Sequence, residues 1–200
     1  MPCARPRMTH PDTALFLLMT AGPSPAPWLL PIASAIADGG AWLCAALMGW
    51  AAWRQPHDRG YLLAALAMAG VASFLAHALA DRIGLPRPFM LGLAPAHIAH
   101  GPSPAMPSTH ATVMFFIALA LAARPSLRRW APAAALLALA TGWARIYAGV
   151  HFPSDIAAGL VLALAMQGLF MALQCLATQR VAPAFARIQQ GARPTQGRVP

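Results

Sequence analysis

The chain has 200 residues, 58% of them hydrophobic and only 10% charged, with a mean hydropathy of +0.56 and a net charge of +9. That composition excludes an ordinary soluble domain and describes a membrane protein. All fourteen cations are arginines, mostly scattered between apolar runs, which is the pattern of loops held against anionic lipid and not of a nucleic-acid surface.

Residues 1–27 carry Arg5, Arg7, a short apolar patch Ala14–Met19 and a proline-rich turn. The patch is too short for a signal sequence, and the prolines crowd any cleavage site, so a short interfacial helix is expected. Trp28–Trp53 is long enough to cross about 30 Å of hydrocarbon, though Pro31 and Asp38 interrupt it. A polar turn, Arg54 to Gly60, leads to a second span, Tyr61–Ala80. A long Pro- and His-rich segment, Asp81 to Pro107, precedes a third span over Ser108–Ala123. Arg124–Arg129 closes it, a fourth span runs from Trp130 to about Val150, and a fifth covers Ile156–Ala177. Residues 178–200 are polar and read as a disordered cytoplasmic tail. Cys3, Cys44 and Cys175 are far apart and imply neither a disulfide framework nor a Cys-x-x-Cys metal site.

Run lengths near twenty residues and the dominance of Ala and Leu predict helices, not strands. The expected fold is all-α: a polytopic transmembrane helical bundle of about five spans over residues 28–177, plus the N-terminal helix. Arginines then set the orientation. The 54–60 turn, the 124–129 turn and the tail hold two, three and four of them. Alternation puts all three on one side, expected to be cytoplasmic, with the N-terminus outside.

Against this apolar background, Arg145, His151 and Asp155 fall within eleven positions, where charge is expensive and usually functional. Pro153 pre-sets a helix start, which places Asp155 in the first turn of the following helix. His151 lies four residues from Asp155, so the carboxylate can take one imidazole N–H and leave the other nitrogen free to attack an electrophile. Arg145 suits an anion such as phosphate. The same residues would also suit a loop with an interfacial histidine and a helix-capping aspartate. Two further polar clusters, Pro86-Arg87-Pro88-Phe89 and Pro107-Ser108-Thr109-His110, fall on the same membrane face by crossing number. Ser108 is a natural N-cap for the third span, and the free N–H groups of that first turn would form an anion site beside His110. Two arginines, a helix N-terminus, two histidines and a carboxylate are what phosphoryl transfer through a phosphohistidine needs.

Arg87-Pro88, then Pro107-Ser-Thr-His110, then Arg145-(five)-His151-(three)-Asp155 together resemble the three signature motifs of the type 2 phosphatidic acid phosphatase superfamily, which shares its fold with vanadium haloperoxidases. The resemblance covers residues 28–177 and is greatest to the small bacterial undecaprenyl-diphosphate phosphatases. It implies that His151 is the nucleophile, Asp155 its orienting partner and His110 the acid on the leaving group, later the base on water. Arg87, Arg145, Ser108 and Thr109 would bind phosphate oxygens. It implies no metal and no cofactor, a polyprenyl or other lipid phosphate substrate, and a bacterial inner-membrane enzyme working at the periplasmic face. The first motif usually begins with a Lys seven residues before its Arg, but that position is Ala80. Arg82, the nearest cation, is turned about 200° away along a helix. Ala144 and Thr109 also stand where Ser and Gly or Asp are commoner.

His97 and His100 are spaced His-x-x-His, weak evidence for metal with no carboxylate nearby in sequence. His77 reads as a packed helix histidine, and Asp38 as an interfacial or paired residue. The alternative activities are a phosphatidate or phosphatidylglycerophosphate phosphatase and, in another class, a transporter or anion-sensing membrane protein on the same scaffold. Oligomeric state is not legible.

Overall fold

The computed structural model describes residues 11–181. Six helices account for most of them: α1 (Pro11–Met19), α2 (Leu29–Arg54), α3 (Arg59–Ile83), α4 (Thr109–Ala123), α5 (Ala131–Tyr147) and α6 (Pro153–Leu176), with no strand among the described residues. The all-α expectation holds. Residues 1–10 lie outside the described part, as does nearly all of the expected tail. The tail's first residues continue α6 in a wider π-helical turn, Ala177–Val181.

Pro31 does not interrupt the first long helix. It sits in the first turn of α2, where its missing N–H has no intrahelical partner to lose, and the helix runs unbroken to Arg54. At the other end of the series, Pro153 is the first residue of α6 and Asp155 lies in its first turn, as its sequence position predicted. Gly84 ends α3 in the left-handed conformation, φ 69°, and turns the chain out of the helix into the 85–107 segment.

α2, α3 and α6 are long and apolar enough to cross a membrane, whereas α4 has 15 residues and α5 has 17. At 1.5 Å per residue those two rise only about 22 and 25 Å. α4 is short because it is central: Ala111, Met114, Phe115, Phe116, Ile117 and Leu121 are all buried, between α3, α5 and α6. A helix wrapped by others is apolar all round and shows no polar face. α2 leans on α5 and α3 on α4, with little contact between α2 and α3. Large apolar side chains point outward, among them Trp42 at 79% and Phe74 at 75% exposure, an arrangement stable against lipid and not against water.

Candidate active site

The chain order brings the C-terminal ends of α3 and α5 and the N-terminal ends of α4 and α6 to one end of the bundle. A cavity of about 140 Å³ lies there, lined by Arg87, Thr109, His110, Arg145 and His151 together with residues of the 100–107 loop. Ser108 and Asp155 are not in its lining but contact His151, the Ser108 hydroxyl at Nε2 and the Asp155 carboxylate at Nδ1. All seven residues expected from the sequence are thus at one place.

Local backbone explains how. Gly149 has φ +81°, and a β-carbon there would run into the Pro95 carbonyl, so only glycine lets the chain turn between α5 and His151. Gly159 does the same between helices: a β-carbon would come within 2.8 Å of Ala111 Cβ and 2.9 Å of the Ser108 carbonyl. The starts of α4 and α6 therefore meet, and the Ser108 N–H donates to the Asp155 carbonyl at 3.0 Å. Ser108 occupies the N-cap position of α4 but makes no side-chain cap. Its hydroxyl lies instead 3.5 Å from His151 Nε2, which departs from the capping role expected and leaves first-turn N–H groups of α4 uncapped.

His151 is 2% exposed. Its Nδ1 lies 3.1 Å from Asp155 Oδ2, which also accepts the Phe152 N–H at 2.8 Å. A carboxylate cannot donate, so the ring proton is assigned to Nδ1 and the lone pair to Nε2. Nε2 in turn accepts from Arg87 Nη1 at 3.1 Å. Burial, then the positive field of Arg145 and Arg87, pushes the imidazole well below its ordinary pKa, which favours the neutral ring.

The two arginines differ. Arg87 donates to the Ser103 carbonyl and hydroxyl, the Pro104 and Val150 carbonyls and His151, so each of its five N–H groups has an acceptor. It ties the 85–107 segment to His151. Arg145 is 3% exposed and, among the described residues, reaches only the Ala37 carbonyl, at 3.3 Å, with no partner for its Nε. Arg145 lines the cavity, and a buried guanidinium with an unused N–H suits an anion.

Three residues left without a role by the sequence also line the cavity: His77, Asp81 and His100. The His100 ring stands edge-on to His151 at 6.2 Å, and its pKa is lowered by burial and by Arg87 and Arg145. Their lining positions follow from the fold, and only the end-of-span position of His77 and Asp81 hinted at it. His97 is turned away, its Nε2 2.8 Å from the Gly22 carbonyl. Ala80 lines the cavity where the family usually places Lys, and the exposed Arg82 does not line it.

The profile of the PAP2 superfamily matches residues 60–178, more than half of the chain. The chain belongs to the PAP2 superfamily. This PAP2 chain is similar to a provisionally named undecaprenyl-diphosphatase, YbjG, of Escherichia coli K12: 29% identical over 153 residues, 75% of this chain and 76% of that one. It is 33% identical over 85 residues, 42% of this chain and 43% of the other, to the undecaprenyl-diphosphatase BcrC of Bacillus subtilis 168. Two solved structures share the fold. One is a transmembrane PAP2 type phosphatidylglycerolphosphate phosphatase from Bacillus subtilis, with TM-score 0.61 and 24% identity over 82% of this chain and 84% of that one. The other is Aquifex aeolicus LpxE, with TM-score 0.66 and 21% identity over 84% and 99%. The chain is therefore a multi-pass membrane protein of a phosphatase family.

Proposed function

We propose that the protein hydrolyses undecaprenyl diphosphate to undecaprenyl phosphate and inorganic phosphate at the outer face of a bacterial inner membrane, its C-terminus in the cytoplasm and five helices crossing. The observation that carries the reading is the line Asp155–His151–cavity, with Nε2 presented beside Arg87 and Arg145. Nε2 attacks the terminal phosphorus, forming an N–P bond as the P–O bond to the lipid monophosphate breaks, and His110 gives the leaving oxygen its proton. His110 then takes a proton from water, which attacks phosphorus and releases phosphate from His151. Arg145 and the first-turn N–H groups of Thr109 and His110 hold the equatorial oxygens, and Arg87 hands Nη1 from Nε2 to phosphate as the bond forms. No step draws on a metal or cofactor.

A lipid substrate is supported by an apolar groove of about 610 Å³ between α2 and α3, floored by Val113, Met114 and Ile117 of α4. Its lining ends at Ser73. The Ser73 carbonyl accepts from His77 Nδ1 at 2.8 Å, and His77 lines the cavity, so groove and cavity are one helical turn apart. The names of YbjG and BcrC favour the polyprenyl diphosphate as the lipid.

The test is phosphate release by the purified protein from undecaprenyl diphosphate, phosphatidate and phosphatidylglycerophosphate in parallel. Fastest turnover of the diphosphate, with near-total loss in His151→Ala and a phosphohistidine trapped in His110→Ala, is the expected result. Preference for either glycerolipid would overturn the substrate, and full activity in His151→Ala would overturn the mechanism.

A further inference from the structure

α1 is too short to cross a membrane, and it packs on α5 and α6 at the catalytic end of the bundle. Phe16 is fully buried there, its ring 5.3 Å from that of Phe152, the residue between His151 and the start of α6. The segment leaving α1 is tied to the end of α5, since the Ala21 N–H donates to the Tyr147 carbonyl at 2.9 Å. In the first turn of α1, Asp12 reaches Ser154. Its Oδ1 accepts the Ser154 N–H at 2.9 Å, and its Oδ2 accepts the Ser154 hydroxyl.

Ser154 is the hinge between nucleophile and partner. Pro153 has no N–H, and the Asp155 N–H is held by the Phe152 carbonyl at 3.1 Å, so the Ser154 N–H is the remaining first-turn donor through which another element can grip the helix start. Whatever fixes Ser154 fixes how far Asp155 Oδ2 stands from His151 Nδ1, because the two are separated only by residues 152–154. A carboxylate from a separate helix, 142 positions away in the chain, holds both Ser154 donors. Asp12 also adds negative charge at the α6 N-terminus, where the helix dipole favours it.

We propose that Asp12 is a positioning residue of the active site: through Ser154 it clamps the first turn of α6 so that Asp155 meets His151 at hydrogen-bonding distance, which makes the N-terminal helix part of the catalytic apparatus. The inference rests on the proposed role of His151 as nucleophile.

The test uses the full chain in detergent with undecaprenyl diphosphate, or whichever of the three lipid phosphates the wild type turns over. Asp12→Ala lowers kcat by roughly 10- to 100-fold with KM unchanged, because a misaligned nucleophile slows the chemical step without weakening phosphate binding. Asp12→Asn keeps an acceptor for the Ser154 N–H and recovers most of kcat. Ser154→Ala lowers kcat on its own, and added to Asp12→Ala it costs nothing further, since the contact it removes is already gone. A thermal melt of each variant reports folding. Wild-type kcat in Asp12→Ala overturns the proposal, as does a rise in KM with kcat intact, or an Asp12→Asn variant as slow as Asp12→Ala. If Asp12→Ala does not fold, Ser154→Ala carries the test, and wild-type kcat there overturns it. Failure of the underlying reading looks different: a wild type that turns over none of the lipids, or a His151→Ala variant that works.

Discussion

At the scale of residues, two arginines of the same motif set are doing different things. Arg87 has all five N–H groups engaged within the protein, whereas Arg145 lines the cavity and its buried Nε has no partner among the described residues. Arg145→Ala should therefore raise KM, with kcat/KM falling roughly 10- to 100-fold for the loss of charge-assisted bonds worth about 1.5–3 kcal/mol. Arg87→Ala should lower kcat and also the melting temperature, since it unties Ser103 and Pro104 from Val150 and His151. Steady-state kinetics with a melt of each variant separates the two patterns. The lowered pKa of His151 makes a second expectation. In the proposed mechanism the reactive form is the neutral ring, so activity is lost as pH falls through the folded pKa, which burial, Arg145 and Arg87 hold well below 6.5. The acid limb of kcat/KM assigned to His151 should lie below that value, and a limb at or above 6.5 would contradict it.

Among the elements, what the sequence disclosed and what it hid divide along physical lines. The helices were legible because lipid demands long apolar runs, and Pro153 and Asp155 because a helix start has fixed chemistry. The convergence of Arg87, His110, Arg145 and His151 was legible through counting crossings. Asp12 on Ser154, the five acceptors around Arg87 and the Ser108 hydroxyl turned toward His151 were not, since each depends on how separate segments fold over one another. Gly159 belongs to this hidden class: nothing in its neighbourhood marks it, yet it sets the distance between the starts of α4 and α6. Gly159→Val should overpack that contact at a cost of roughly 1–3 kcal/mol and lower kcat, read as a lower melting temperature with slower phosphate release. The α2–α3 groove can be tested without touching the core. A β-carbon at Gly70 meets nothing within 4 Å, so Gly70→Phe should fold and fill the groove. It should raise KM for undecaprenyl diphosphate and leave a short-chain, water-soluble phosphate ester unaffected.

Taken whole, the bundle holds the candidate site at one end and a buried carboxylate cluster at the other. At the first end, among the described residues, Arg145 keeps a buried N–H without a partner and the start of α4 has no side-chain cap. The opposite end is closed by Asp58, fully buried in the turn between α2 and α3. Its carboxylate accepts from Arg124 Nε at 2.9 Å and from the Ser126 hydroxyl, and lies 3.1 Å from His57 Nε2. Arg124 also stands over the Tyr61 ring at 5.2 Å, and the Tyr61 hydroxyl donates to the Ala120 carbonyl at 2.6 Å, so α3, α4 and the turn after α4 are locked together. Burial alone would raise the Asp58 pKa. The bonds from Ser126 and Arg124 and the field of His57 outweigh it and hold the carboxyl below its ordinary value of 3.8. A carboxyl with a lowered folded pKa contributes stability above its unfolded pKa and loses it as pH falls through the folded one. Asp58→Asn should therefore melt lower than wild type at neutral pH by about 4–8 °C, the equivalent of roughly 2 kcal/mol; that is less than a fully buried pair would lose, because Arg124 is 44% exposed. Below about pH 4 the wild-type carboxyl begins to protonate as well, and the two melting curves should converge. Phosphate release at neutral pH and moderate temperature should be the same in both, because Asp58 lies at the far end of the helices from His151. A gap that persists unchanged into acid would show that the Asp58 charge is not what holds this end closed.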